Sequence, residues 1–331
     1  MNVSLDTLRQ TALAVLTRFG YPADEAQTIL EVLMYAQLRG NNQGVVKLIG
    51  AGLPRDPRAA PIRTVRDTKL SALLDGGWNI GMVVMRASSQ LAIEKCRQHG
   101  MSLVGTQRIA SSTGAIGYYA RQIANAGFIG LVFAGSGEYV AMHGSYEPLF
   151  GTNPLAIGIP TAAQPLVLDM ATSAIARYGI IEAQTAGRTL PPDVAYDAAG
   201  QPTTDPSVAL AGAIRTFGGH KGAGLALMVE MLTRPLVAAT YSADGRKLDW
   251  GNLVIAIDPE LLVDAQSFKQ EASDLIQRVK ATRRLPGFDE VLVPGERGDR
   301  LMQAALESGS IEIDDALWRA LLQAAKPDSK E

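Results

Sequence analysis

The chain of 331 residues contains one cysteine, Cys96, and three histidines, His99, His143 and His220. A single cysteine excludes an intramolecular disulfide and a structural zinc site built on several thiolates. Three scattered histidines also argue against a His-rich catalytic metal site. We therefore expect no metal.

Excess charge and long apolar runs are missing too. The 31 Lys and Arg residues nearly balance the 33 Asp and Glu residues, and the basic ones are scattered. A basic patch for nucleic acid or for an anionic membrane is therefore not expected. No apolar run reaches transmembrane length, and Asp6 and Arg9 interrupt the first apolar pattern, so we expect neither a spanning helix nor a signal peptide. The expected location is the cytoplasm.

Hydrophobic residues make up 47% of the chain, and its length suits about two domains with a large core. Apolar periodicity predicts helices over residues 5–19, capped by Ser4, and over 23–38, opened by Pro22. A polar loop bracketed by glycines, Arg39 to Gly44, follows the second helix. We expect chemistry in that loop.

The middle of the chain alternates between strand and helix patterns, and its last part is helical. These patterns predict a helical domain from residues 1–75 plus 260–331 around a sheet domain of residues 76–259. The further predicted strands are 102–105, 128–133, 155–159, 166–168 and 253–257. The further predicted helices are 82–98, 115–125, 221–232, 260–283, 299–307 and 313–325.

Five motifs occur in order along nearly the whole chain: Gly151-Thr152-Asn153-Pro154, Leu168 to Ser173, Gly200 to Asp205, Gly218-Gly219-His220-Lys221-Gly222 and Pro294-Gly295-Glu296. As a set they resemble the malate/L-lactate dehydrogenase family of the non-Rossmann type, which includes ureidoglycolate dehydrogenase and the piperideine and pyrroline-2-carboxylate reductases. The resemblance implies an α/β (α+β) fold with a mixed, largely antiparallel central sheet for NAD(P), not a Rossmann fold. It also implies a helical domain from both termini and a homodimer with its active site near the interface.

Cofactor residues follow from these motifs and from simple chemistry. A dinucleotide needs backbone N–H groups at a glycine-rich helix start and a charge partner, as Gly114 to Gly117 and Lys221-Gly222 offer. The alternative for these glycines is close packing, and it stays open. The alternative for Lys221 and Asp169 is a structural salt bridge, and there the resemblance favours the cofactor. NADH and NADPH both remain open. The predicted cofactor residues are Ser112, Thr113, Gly114, Ala115, Ile116, Asp169, Met170, Ala171, Lys221, Gly222, Gly295 and Glu296.

The chain departs from the family where proton transfer occurs. The family's general acid is a histidine in a Ser-His-Gly motif, followed by an arginine for the substrate carboxylate. Here Asn42 and Gln43 stand at the Ser-His positions, the loop is one residue shorter, and Lys47 replaces the arginine. Ser112 stands where a second histidine is usual, and Tyr178-Gly179 where a charged residue is common. The predicted catalytic residues are Asn42, Gln43, Lys47 and His143, with Lys47 and Thr152 for substrate binding.

Two chemistries tolerate this change. A protonated cyclic imine, such as pyrroline-2-carboxylate or piperideine-2-carboxylate, accepts hydride without an obligatory general acid. For a 2-oxo acid, another residue must supply the proton, and His143, Tyr35 and Tyr119 are candidates by type. Lys47 then holds the carboxylate as a point charge. The predicted function is NAD(P)H-dependent reduction of a small 2-imino or 2-oxo carboxylate. The alternative is a member without redox activity, either a binding or regulatory protein or a non-redox enzyme.

Overall fold

The computed structural model describes residues 1–240 and 249–326. Its longer helices begin and end close to the positions that the periodicity predicts. The helices are α1 (Leu5–Arg18), α2 (Ala23–Leu38), α3 (Gly81–His99), α4 (Gly117–Asn125), α5 (Arg177–Thr185), α6 (Pro206–Ala211), α7 (His220–Thr233), α8 (Ala265–Lys280), α9 (Glu296–Ser308) and α10 (Asp315–Ala325), with short 3-10 helices at Val45–Leu48 and Pro259–Leu261.

The strands are more numerous than the sequence predicts. They are β1 (Asn2–Ser4), β2 (Arg63–Asp67), β3 (Ser71–Asp75), β4 (Met101–Gln107), β5 (Ile129–Ala134), β6 (Val140–Ala141), β7 (Pro148–Phe150), β8 (Leu155–Ile159), β9 (Leu166–Met170), β10 (Ala195–Tyr196), β11 (Ala213–Ile214), β12 (Asn252–Ile257) and β13 (Ser310–Glu312).

A seven-stranded sheet forms the centre of the molecule, in the order β2-β3-β4-β12-β5-β8-β9. β3 and β4 pair in parallel, and the other neighbouring strands of this sheet pair antiparallel. The prediction of a mixed α/β fold around a mixed, largely antiparallel sheet is confirmed. β10, β11, β6 and β7 form a smaller sheet with its own apolar cluster.

The two ends of the described chain meet. β1 pairs with β13, and α1 packs against α10. Ser4 caps α1 as predicted, because its Oγ accepts a hydrogen bond from the Thr7 N–H at 3.1 Å. The apolar faces of α1, α2 and α10 join the main core with the central sheet.

One predicted helix is shorter than expected, and two strands of the central sheet were not predicted. The helix predicted over 260–283 is limited to α8, because Asp264 caps it: the Ser267 N–H donates to Asp264 Oδ1 at 2.7 Å. β2 and β3 were not predicted, and both lie in the stretch assigned to the helical domain although they pair within the central sheet. The division into residues 1–75 with 260–331 and residues 76–259 stays a prediction.

Cys96 lies on α3 with its side chain fully buried in the main core, and its thiol donates to the Gly100 carbonyl at 3.4 Å. Burial raises the pKa of this thiol to about 12. Across residues 1–240 and 249–326, no helix is both long and apolar enough to cross a membrane.

Candidate functional site

Three adjoining cavities form one continuous cleft between the polar loop after α2 and the edge of the central sheet. The outer cavity, of about 390 Å³, shares Asn41, Asn42 and Asp169 with the middle one, of about 120 Å³. The middle cavity shares Gln43, Gly114, Thr152 and Pro154 with the inner one, of about 80 Å³. We call these the outer, middle and inner parts of the cleft.

Lys47 lies in the inner part, on the 3-10 helix after the loop. Its side chain is buried, with 2% of the residue exposed, so it is not a solvated lysine. Its Nζ donates to Ser112 Oγ at 2.8 Å and lies 3.5 Å from the centroid of the Tyr178 ring. The Ser112 hydroxyl and the Tyr178 ring face stabilise the buried ammonium only in part, because neither carries a negative charge that would balance it.

Burial lowers the pKa of Lys47 well below its usual value. Desolvation disfavours the charged form of an amine, and no carboxylate within the described ranges pairs with this one. A buried ammonium without a counter-ion binds an anion or releases its proton readily. Both properties suit a site for a small carboxylate.

Arg177 also lines the inner part, at the first position of α5. Its guanidinium lies over the Tyr139 ring, with Cζ 4.2 Å from the ring centroid. Trp250 and Ser136 complete this end of the cleft. The residues that line the inner part therefore include two cations and no acid.

Asn42 and Gln43, from the polar loop after α2, lie on the cleft wall. Gln43 Nε2 donates to Asn42 Oδ1 at 3.3 Å, and the Gln43 N–H donates to Asn41 Oδ1 at 2.9 Å. Gly179 allows this arrangement, because a Cβ there would lie 2.6 Å from Asn42 Nδ2. The loop of Asn42 and Gln43 and Gly179, which both depart from the family motifs, therefore lie in contact with each other.

The middle part fits a dinucleotide phosphate. Gly114, with φ of +70°, leads through Ala115 and Ile116 into α4, and all three line the cavity. Ala115 and Ile116 are buried, and their N–H groups find no acceptor among the described residues. Buried amide donors at a helix N-terminus require an acceptor, and phosphate oxygens meet this need.

Asp169 stands beside this helix start, and Met170 and Ala171 line the same cavity. Asp169 Oδ2 accepts the Gly117 N–H at 2.8 Å. Burial raises the pKa of Asp169 to about 6, although the Gly117 N–H and the Arg39 guanidinium favour its charged form. The carboxylate can accept from a ribose hydroxyl while it holds the start of α4.

This raised pKa predicts a pH-dependent stability. Because folded Asp169 binds its proton more tightly than an unfolded aspartate with pKa 3.8, its contribution to the free energy of unfolding falls as the pH rises from about 4 to about 6. Asp169→Asn is expected to remove that decline and to stabilise the protein at pH 8 by about 1–3 kcal/mol. Urea unfolding at pH 4.5, 6 and 8 measures this. The exposed Asp193→Asn is the control, and a D169N protein with the wild-type pH slope would contradict the assignment.

Gly295 lines the outer part of the cleft together with Arg39 and Arg297. Arg39 ion-pairs with Asp299, and its Nη2 donates to the Gly295 carbonyl at 2.9 Å. These contacts tie the loop before α9 to the end of α2. The outer part is therefore a polar, preformed extension of the middle part.

Most of the predicted residues come together in the cleft, and four do not. The residues brought together are Asn42, Gln43, Lys47, Ser112, Thr113, Gly114, Ala115, Ile116, Thr152, Asp169, Met170, Ala171 and Gly295.

His143 lies in a separate small cavity near His220. Lys221 is exposed on α7, and Gly222 is required for packing because a Cβ there would lie 2.1 Å from the Phe217 carbonyl oxygen. Glu296 ion-pairs with Lys280 and Arg300 instead of lining the cleft. None of the four lines the three cavities of the cleft, and their predicted roles stay predictions.

The other proton donors considered from the sequence are poorly placed for that task. Tyr119 is fully buried, and its hydroxyl donates to the Thr113 carbonyl at 2.8 Å. Tyr35 lines the outer part, and burial raises its pKa to about 12. Neither hydroxyl faces the inner part of the cleft.

Sequence reasoning missed Arg177, Tyr139, Ser136 and Trp250. Arg177 had a signal, because it follows the Leu168 to Ser173 motif by four positions. Tyr139 and Trp250 had none, since each reaches the cleft through long-range folding. In the described part of the chain, no three His, Cys, Asp or Glu side chains group as metal ligands would.

Comparison with known proteins places the chain among dehydrogenases. A family model described as malate/L-lactate dehydrogenase matches residues 3–322. The chain is 36% identical over 324 residues to L-sulfolactate dehydrogenase of Methanothermobacter thermautotrophicus, covering 94% of this chain and 93% of that protein. It is 36% identical over 277 residues to a Delta(1)-pyrroline-2-carboxylate reductase of Burkholderia ambifaria, covering 79% of this chain and 81% of that protein. The crystal structure of malate dehydrogenase from Entamoeba histolytica superposes with a TM-score of 0.85 at 27% identity, covering 100% of this chain and 99% of that one.

Proposed function

Because the chain belongs to the malate/L-lactate dehydrogenase family, we propose that it is an NADH- or NADPH-dependent reductase of a small 2-imino or 2-oxo carboxylate. The family implies a nicotinamide cofactor, which supplies a hydride when bound. Gly114 to Ile116 and Asp169 would hold it in the middle part of the cleft. The observation that carries the proposal is the inner part, where the buried Lys47 ammonium has no acid to balance it.

A cyclic ketimine carboxylate suits this site better than a 2-oxo acid. No histidine lines any of the three cavities of the cleft, and the Gln43 amide does not release a proton near neutral pH. A cyclic imine in its protonated form already carries the proton that a ketone needs from the enzyme. The similarity to the Burkholderia ambifaria reductase supports the same substrate class.

A non-redox protein is the second candidate. The Asn42–Gln43 pair, at the positions where the family carries its acid, favours it. Such a protein would bind a nucleotide or a carboxylate in the cleft without oxidising the nucleotide. It would serve as a binding or regulatory protein, or as an enzyme for another reaction.

We also propose that the protein is a homodimer and that it is located in the cytoplasm. Leu225, Met228 and Met231 are exposed on α7, and apolar side chains of this size on one helix support an interface with a second copy. Light scattering of the purified protein measures the mass directly. A mass of one chain, 35.1 kDa, would contradict the homodimer.

The activity is tested by nucleotide titration followed by addition of substrate. We expect fluorescence of NADH or NADPH to change on binding, and Δ1-pyrroline-2-carboxylate to oxidise the bound nucleotide faster than pyruvate does. Nucleotide binding without oxidation by any cyclic imine or 2-oxo acid would favour the non-redox candidate. No nucleotide binding at all would overturn the proposal.

A further inference from the structure

The two cations of the inner part differ in ways that suit different tasks. Lys47 is buried, touches Ser112 and the Tyr178 ring, and has a lowered pKa. Arg177 is half-buried beside it, and its side chain forms no hydrogen bond or ion pair within residues 1–240 and 249–326. Its stacking on Tyr139 restricts the guanidinium plane but leaves its N–H donors available.

We propose that Arg177 anchors the substrate carboxylate and that Lys47 Nζ donates a proton to the atom that is reduced. The proposal rests on the proposed function and assigns the roles within its site. It differs from the expectation that Lys47 takes over the carboxylate contact.

The chemistry of the two groups supports this division. A guanidinium offers parallel donors that match both oxygens of a carboxylate, and it stays charged at every relevant pH. A desolvated amine releases its proton at a lower pH than an exposed lysine does, which makes it a better general acid. Each cation therefore has the task that the other performs poorly.

The proton step balances without a further reagent. For a neutral cyclic imine, the imine nitrogen lone pair forms an N–H bond as a Lys47 Nζ–H bond breaks, giving an iminium and a neutral amine. For a 2-oxo acid, the same proton forms an O–H bond at the developing alkoxide. Lys47 recovers its proton from water, and the reduced nicotinamide, when bound, would supply the hydride, which carries both electrons of the reduction.

The surroundings of Lys47 keep this proton labile. The titratable and charged groups in its cavity are Arg177, Tyr139 and Tyr178, and burial raises the pKa of both tyrosines, that of Tyr178 to about 12. The 3-10 helix of Lys47 packs against α1, α2, α5 and α10. No charged group on these helices contributes to the shift, which burial alone produces.

Binding calorimetry with pyrrole-2-carboxylate, a planar carboxylate that cannot be reduced in this way, separates the two roles. Arg177→Gln is expected to raise its Kd about 10- to 100-fold, as loss of hydrogen bonds to a charged group does, and Arg177→Lys to restore part of the affinity. Lys47→Met is expected to change the Kd far less.

Arg188→Gln is the matched control, since Arg188 follows the same helix but lies exposed against Glu182. The neutral pyrrole-2-carboxamide is expected to be insensitive to Arg177→Gln.

Turnover of Δ1-pyrroline-2-carboxylate tests the proton role. At a pH where the free imine is neutral, Lys47→Met is expected to lower kcat about 10²- to 10⁴-fold with little change in KM. The loss should be far smaller at low pH, where the imine enters the site already protonated. Lys47→Arg keeps the charge but cannot release a proton, so it should be as slow as Lys47→Met. In the wild type, kcat falls as the pH rises through the lowered pKa of Lys47. In both variants, the pH dependence of kcat follows the protonation of the imine instead.

Several outcomes would overturn the division of roles. These are loss of pyrrole-2-carboxylate binding in Lys47→Met but not in Arg177→Gln, equal loss in both, or no binding to the wild type. A clear preference for substrates with two anionic groups would show that both cations bind anions. If the binding pattern holds but no substrate oxidises the nucleotide, the carboxylate anchor stands, and the proton role fails together with the proposed function.

Discussion

Lys47→Met is expected to raise the melting temperature of the protein while it removes reductase activity. The ammonium is buried with one hydroxyl and one aromatic ring as its contacts, so its desolvation is not offset by an opposite charge. Replacing a buried charged group by an apolar side chain of similar length commonly stabilises a protein by about 1–4 kcal/mol. At about 2–4 °C per kcal/mol, the melting temperature should rise by several degrees.

The stability gained by Lys47→Met should decrease as the pH rises. Folded Lys47 has a pKa well below its usual 10.5, so between these two values the unfolded chain binds more protons. Wild-type stability therefore rises with pH across that window, and the advantage of Lys47→Met is largest below the folded pKa and vanishes above about 10.5. Thermal unfolding at pH 6, 8 and 10 measures the trend. Lys69→Met, at an exposed turn residue, is the matched control, and a Lys47→Met protein less stable than the wild type would show that the ring and hydroxyl outweigh desolvation.

Gly158→Ala is expected to destabilise the fold and to weaken nucleotide binding together. A Cβ at Gly158 would lie 2.2 Å from the Ala120 carbonyl oxygen, where α4 crosses β8. Because the clash is with backbone, the helix must move away from the sheet, at about 1–3 kcal/mol or more. The start of α4 carries the Ala115 and Ile116 N–H groups and the Gly117 contact to Asp169, so the middle part of the cleft changes shape when the helix moves.

Gly224→Ala provides the matched glycine. Gly224 lies within α7, and a Cβ there has no heavy atom within 4 Å. Gly224 lies on the proposed dimer face of α7 and not in the cleft, so nucleotide affinity should be unchanged. Helix propensity should stabilise each chain by up to about 1 kcal/mol. Denaturant unfolding and NADPH titration of the two variants measure both effects. A Gly158→Ala protein with wild-type stability and affinity would show that α4 is not fixed by β8.

Local signals determined which parts of the fold could be predicted. The bounds of α2 followed from Pro22, from the acidic first turn and from a continuous apolar face. β2 escaped prediction because all five of its residues are exposed, so no alternation marks it. β3 does alternate, but its five residues are too short a signal beside the helices on either side.

Site residues could be predicted where they lie together in one segment of the chain. Contacts between residues from distant segments could not be predicted. The loop of Asn42 and Gln43 stood out because polar residues interrupt two apolar stretches. The burial of Lys47 was not visible, because its contacts Ser112 and Tyr178 lie far along the chain. The pairing of Gly179 with Asn42 likewise depends on α5 crossing the loop, which no local pattern records.

The single thiol also makes the molecule convenient for spectroscopy. Cys96 is buried in the main core, and its high pKa keeps it in the unreactive protonated form. Maleimide dyes or nitroxide labels should therefore react with a cysteine introduced on the surface and leave the native one unmodified. Two such labels, one on the exposed end of α5 and one near the start of α9, would report by distance measurement whether the walls of the cleft approach each other when a ligand enters.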